Sequence, residues 1–168
     1  KALLRGEVPG PMSETVRPRV QQAAMVMWAI YVAISLLLTV VLILEGMSLF
    51  DALCHTFGTI ATGGFSTHNA SVGAFASSWI DWTIILFMVV AGTNFSLYHL
   101  ALSRHQLWRT FRGDTEFRIY LALLAAATIL LGASVYANSI DESVYGSFRT
   151  AAFQATAIMT TTGFATTD

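Results

Sequence analysis

Two stretches of this chain share an unusual set of residue types: ATGGFSTH at residues 61–68 and TTTGFATTD at residues 160–168. Each joins threonines to glycine and phenylalanine, and each follows an apolar run. Such a phrase could strip water from a cation. Backbone carbonyls replace a hydration shell without bringing in a full charge. Turning successive carbonyls to one side needs backbone angles that L-residues resist, and glycine supplies a positive φ at little steric cost. Gly64 and Gly163 are the candidates for that geometry. Thr62, Thr161 and Thr162 can add hydroxyl oxygens or hydrogen-bond the loop from behind, Gly63 adds a further carbonyl, and Phe65 and Phe164 support the loops. The expected ion-contacting set is therefore Thr62, Gly63, Gly64, Thr161, Thr162 and Gly163. A simple glycine turn is the plain alternative for Gly63–Gly64.

The phrases are part of a longer repeat. An offset of 99 residues pairs Ala52 with Ala151, Thr62 with Thr161, Gly64 with Gly163, Phe65 with Phe164 and Thr67 with Thr166. Residues 49–61 place Leu49, Phe50, Leu53, Phe57 and Ile60 at helical spacing. Ser48 with Asp51 reads as a capping box at the start of that helix. At about 19 Å it is too short to cross a bilayer, yet too apolar for a free loop. A re-entrant helix is expected, since non-helical backbone at membrane depth is tolerated only where protein or a water-filled cavity covers it. The segment before the second phrase, SFRTAAFQATAIMT, reads as a short helix in the same position.

The elements that hold these parts are apolar. Of 168 residues, 55% are hydrophobic and only 11% charged, with mean hydropathy +0.61; soluble domains carry about a quarter charged residues. Residues 23–44, 82–102 and 119–137 form three runs, each about 30 Å long as a helix and matched to a bilayer core. Lys1, Arg5, Arg17 and Arg19 precede the first run, and Arg104, Arg109, Arg112 and Arg118 lie between the second and third. Basic residues accumulate on the cytoplasmic side. This places both basic segments inside and residues 45–81, with everything after 137, outside. The division expected is a cytoplasmic basic segment (1–22), a complete span–pore loop–span unit (23–103), a cytoplasmic link (104–118) and a partial second unit (119–168). The class is an all-α, multi-pass membrane protein built from span, re-entrant helix, loop and span.

Other chemistries find less support. The net charge is −1, and no basic stripe interleaved with aromatics points to nucleic acid. Cys54 is the single cysteine, which excludes an intrachain disulfide, and no His, Cys or carboxylate spacing resembles a zinc site. Ser66 and His68 could form a hydrolytic dyad in a membrane enzyme, though no third orienting group is evident; a purely structural membrane subunit is the other alternative. His55 and Cys54 are expected to pack against neighbours, His99 to lie at the interface, and Asn94 to bond a neighbouring helix. Glu45, Asp51 and Asp81 read as solvated charges at an acidic outer mouth. The first residue is not Met and the second phrase runs to the last residue, so a longer parent chain is expected.

The order span–pore helix–TxGGF–span resembles the unit of the potassium channel superfamily. The wording is closer to the membrane subunit of the Trk/Ktr/HKT potassium transporters. EVPGPM and RPRV before the first run, GTNFSLYH in the second and FRGDTEFR in the link are similar to Trk-type subunits, as are both glycine phrases. The resemblance covers essentially the whole chain. It implies potassium uptake without covalent chemistry: K⁺ is the transported ion, and no cofactor or enzyme activity is involved. It also implies four non-identical units around one pore, of which this sequence holds the second and most of the third. By the same resemblance the parent is a homodimer in the plasma membrane (the bacterial inner membrane), gated by a cytosolic nucleotide-binding subunit.

Overall fold

A computed structural model describes residues 16–104, 107–138 and 143–166. Lys1, Arg5, the EVPGPM phrase and the final Thr167 and Asp168 lie outside the described residues. Among the described residues there is no strand. Seven α-helices follow in order: α1 (Val16–Leu44), α2 (Leu49–Ile60), α3 (Ser78–Ala91), α4 (Phe95–Arg104), α5 (Leu107–Gly113), α6 (Thr115–Ala137) and α7 (Val144–Met159), with a 3-10 turn at Ser71–Phe75 between α2 and α3.

Helix starts follow from capping side chains. The Ser48 hydroxyl accepts the Asp51 N–H at 3.1 Å and donates to the Asp51 carboxylate at 2.6 Å. The expected cap of α2 is thus present, with the carboxylate gripping the hydroxyl rather than a backbone N–H. Asp114 caps α6 through the Phe117 N–H, and Ser143 caps α7 through the Gly146 N–H. α1 begins before the expected apolar run and takes in Pro18; proline is tolerated in a first turn, where its missing N–H has no intrahelical partner.

α1 over Gln21–Leu44 and α6 are long and apolar enough to cross a membrane. Their apolar residues face outward as well as inward: Leu36 and Leu37 on α1, and Ile129 and Leu130 on α6, are all exposed. Lipid is the environment that suits a helix apolar all round. The run at 82–102 departs from a straight span. It is two helices, α3 and α4, bent by 82° across Gly92–Asn94. The bend is capped from within. The Asn94 side chain accepts the Ser96 N–H at 3.0 Å, and the Tyr98 hydroxyl reaches back to the Val90 carbonyl at 2.8 Å. Asn94 therefore closes a helix end, where a bond to a neighbouring helix was expected.

The core lies around the two short helices. Leu38 and Leu42 of α1, Ala52 and Ile60 of α2, Ile84 and Met88 of α3, and Phe153 and Ala157 of α7 pack together with Val72 and Phe164. α2 and α7 each pack one face against the longer helices, leave an apolar face exposed (Leu49, Phe50 and Phe57 on α2), and deliver their C-termini to the glycine loops.

Candidate functional site

The two glycine loops have the same backbone conformation at the same offset. Thr62 and Thr161 have φ of 51° and 58°; Gly64 and Gly163 have φ of 64° and 80°. The residues between them, Gly63 and Thr162, are not left-handed. The closing hydrogen bonds match too. Thr62 N–H meets the Thr59 carbonyl at 3.2 Å, and Thr161 N–H meets that of Ile158 at 3.0 Å. Gly64 N–H reaches Gly58, and Gly163 N–H reaches Ala157, both at 3.1 Å. Glycine at 64 and 163 was expected to be left-handed and is. The threonines were not expected there, because a β-branched residue at positive φ costs about 1–2 kcal/mol. Each is held by the helix end that closes on it.

The loops also touch. A β-carbon built on Gly64 would overlap the carbonyl oxygen of Thr162. Nothing among the described residues lies within 4 Å of one built on Gly163. Behind the second loop the Thr162 hydroxyl pairs with that of Thr160 at 2.8 Å, and Thr160 also donates to the Thr156 carbonyl. Both threonines are buried, and of the two roles open to the Thr162 side chain these bonds are those of loop support. The 3-10 turn grips the segment leaving the second loop. The Ala165 N–H donates to the Ser71 hydroxyl, the Gly73 N–H donates to the Ala165 carbonyl, and both distances are 3.2 Å. This clamp joins residues 94 positions apart and had no sequence signal.

Phe65 and Phe164 have different surroundings. Phe164 is buried against α2, where its ring end would lie 2.9 Å from a β-carbon at Gly58. Phe65 is 81% exposed. The helix termini bring partial negative charge to both loops. α2 and α7 end at Ile60 and Met159, each with about half an elementary charge at its C-terminus.

A polar network holds the segment leaving the first loop. His55 Nε2 lies 2.9 Å from the Ser66 hydroxyl, and Thr67 donates to the Asp51 carboxylate at 2.6 Å. These bonds from Ser48 and Thr67 hold the Asp51 carboxyl below its ordinary pKa. His68 lies 3.7 Å from Asp51, and only its backbone N–H reaches Ser66. The Ser66–His68 side-chain dyad is therefore not formed; His55 takes that position.

The other acidic residues are not merely solvated. Asp81 is buried and paired with Arg149 at 3.4 Å. Arg149 also donates to Ser78 and lies over the Tyr145 ring. Trp82 donates to the Tyr145 hydroxyl at 3.0 Å, so this group pins α7 to α3. Glu45 accepts from Thr83 at 2.6 Å.

Two sets of long apolar helices, each holding a partly buried short helix that ends in a left-handed glycine loop, define an all-helical membrane protein. The comparisons narrow the class. The model of the TrkH cation transport protein family matches residues 3–168. The Trk system potassium uptake protein TrkH of Salmonella typhimurium is 36% identical over 165 residues, which is 98% of this chain and 34% of that protein. The Trk system potassium uptake protein TrkG of Escherichia coli is 31% identical, over 99% of this chain and 34% of that protein. The crystal structure of the potassium transporter TrkH from Vibrio parahaemolyticus superposes with a TM-score of 0.86 at 34% identity, over 95% of this chain and 33% of that one. The chain belongs to the TrkH cation transport family, and it spans about a third of the length of these relatives.

Proposed function

We propose that this chain is part of the ion-conducting subunit of a potassium uptake system. The observation that carries the reading is the pair of abutting loops with the same alternation of backbone hand. A positive φ at every second residue turns towards one side peptide groups that a fully extended chain would alternate. K⁺ then exchanges water for carbonyls over residues 62–64 and 161–163 and moves between weakly binding sites. No bond is made or broken in the protein. The helix C-termini at Ile60 and Met159 favour a cation there.

On this reading residues 23–103 are one pore unit and 119–168 the greater part of the next, with residues 1–22 and 104–118 on the cytoplasmic face of the plasma membrane. The exposed Phe65 is covered by a further pore unit, as Phe164 is covered by α2. Further pore units, a second copy of the subunit and a cytosolic nucleotide-binding regulator complete the system by family likeness. The hydrolase reading is not favoured. The Ser66 hydroxyl lies between a wholly buried His55 and a backbone N–H, and the relatives are named as uptake proteins.

The test is growth of cells lacking their own potassium uptake systems, carrying the full-length protein, at low external K⁺. Growth with measurable K⁺ uptake is expected. Normal membrane insertion without uptake of any alkali cation would reject the proposal.

A further inference from the structure

We infer that His55 is a positioning residue that ties both glycine loops together and thereby tunes their ion preference. The inference rests on the filter reading above. His55 is fully buried in the middle of α2. Its Nδ1 lies 2.8 Å from the Asp51 carbonyl, one turn back. A carbonyl can only accept, so Nδ1 carries the ring proton and Nε2 presents a lone pair. That lone pair receives the Ser66 hydroxyl at 2.9 Å, two residues past Gly64. Ser66 in turn accepts the His68 N–H at 3.1 Å. The face of the same ring stacks on Phe164, the residue after Gly163, with centroids 5.7 Å apart and planes at 23°. Its edge meets Phe75 at 5.2 Å. One side chain therefore touches the segments leaving both loops.

Plain packing would not need this polarity. The counterpart of His55 in the second unit is Gln154 and that of Ser66 is Ala165, so the second unit lacks the pair. There the segment leaving the loop is held by its backbone, through Ser71 and Gly73. Residues 65–67 make no such backbone bond among the described residues. Side chains of α2 hold them instead, His55 through Ser66 and Asp51 through Thr67. Because His55 also bears on Phe164, a shift of either segment is transmitted to the other.

The experiment measures the ratio of K⁺ to Na⁺ uptake by the full-length transporter in cells lacking other potassium uptake, normalised to protein in the membrane. H55F keeps a ring against Phe164 but loses the lone pair. S66A loses the same bond from the other side. H55Q offers an acceptor close to the Nε2 position. H55F and S66A should each lower the K⁺ preference about fivefold, as expected for one hydrogen bond. The double variant should be no worse than the worse single, and H55Q should keep more preference than H55F. If H55F does not reach the membrane, S66A carries the test. A residue that only stabilises the fold would change the amount of protein and leave the ratio alone. An unchanged ratio in S66A, additive effects in the double variant, or H55Q no better than H55F would each overturn the inference. G64S is measured beside them. If G64S alters the ratio and S66A does not, the positioning role fails and the filter reading stands. If G64S changes nothing, the filter reading falls and this inference with it.

Discussion

Replacing Gly64 by serine places a side chain where φ is +64° and where the β-carbon would overlap the Thr162 carbonyl oxygen. The left-handed backbone alone costs about 1–2 kcal/mol for a residue with a β-carbon. If that cost falls wholly on the K⁺-bound state, binding weakens about 5- to 30-fold. Gly163 has φ of +80° but open surroundings among the described residues, so Gly163→Ser should stay within that range. Gly64→Ser should exceed it, because the two loops must also move apart. Gly63 is not left-handed, and its β-carbon would lie 3.3 Å from the ring of Phe65, a contact that a shift of a few tenths of an ångström relieves. Its counterpart, Thr162, already carries a side chain. Gly63→Ser should therefore be the mildest of the three. The assay is K⁺ and Na⁺ uptake by the full-length protein in cells lacking other potassium transporters, with expression checked. Discrimination should suffer more than total flux, since a partly hydrated Na⁺ needs less exact carbonyl placement. Damage from Gly63→Ser without damage from Gly64→Ser would put the register wrong by one residue. Unchanged preference in both Gly64→Ser and Gly163→Ser would refute the carbonyl argument altogether.

Three further outcomes are expected. Arg109→Cys and Ala76→Cys, each in a background lacking Cys54, should differ towards an impermeant thiol reagent on intact cells; labelling at 109 but not at 76 would invert the topology derived from the basic residues. Arg149→Met should cost about 3 kcal/mol in stability, the lower end for a broken buried pair, because 28% of the Arg149 side chain remains exposed; adding Asp81→Asn should recover part of the loss, and a thermal shift in which the two effects simply add would contradict the pairing. The Asp51 carboxyl has a folded pKa below its ordinary 3.8, so its ionised form is favoured by folding. That contribution is present above the ordinary value and fades as pH falls through the lowered one. Asp51→Asn should flatten the acid limb of the stability profile, and an unchanged limb would remove Asp51 from it.

The repeat could be read because local rules and tertiary structure agree there. Glycine at 64 and 163, the Ser48 cap and the apolar runs each say locally what the packed structure requires. Three features could not be read. The bend at Gly92–Asn94 falls inside a run of span length without charge or proline, and that length outweighs its Gly-Thr-Asn signal, in which Gly92 caps α3 and the Asn94 side chain caps α4. Thr62 and Thr161 adopt a backbone hand that threonine resists, imposed by the helix ends before them. The third group joins residues far apart in the chain. Asp81 meets Arg149, Ser71 meets Ala165, and His55 rather than the nearby His68 reaches Ser66. Residue types alone suggest that such groups are solvated or packed, and only the fold pairs them.

The central claim is that both glycine loops line one cation path. The most direct test is diffraction from crystals of the full-length protein grown with Rb⁺ or Tl⁺, whose anomalous signal marks the ion. The account predicts density within coordination distance of backbone carbonyls from residues 62–64 and 161–163 together. Density confined to other parts of the protein, with none shared between these two loops, would contradict it.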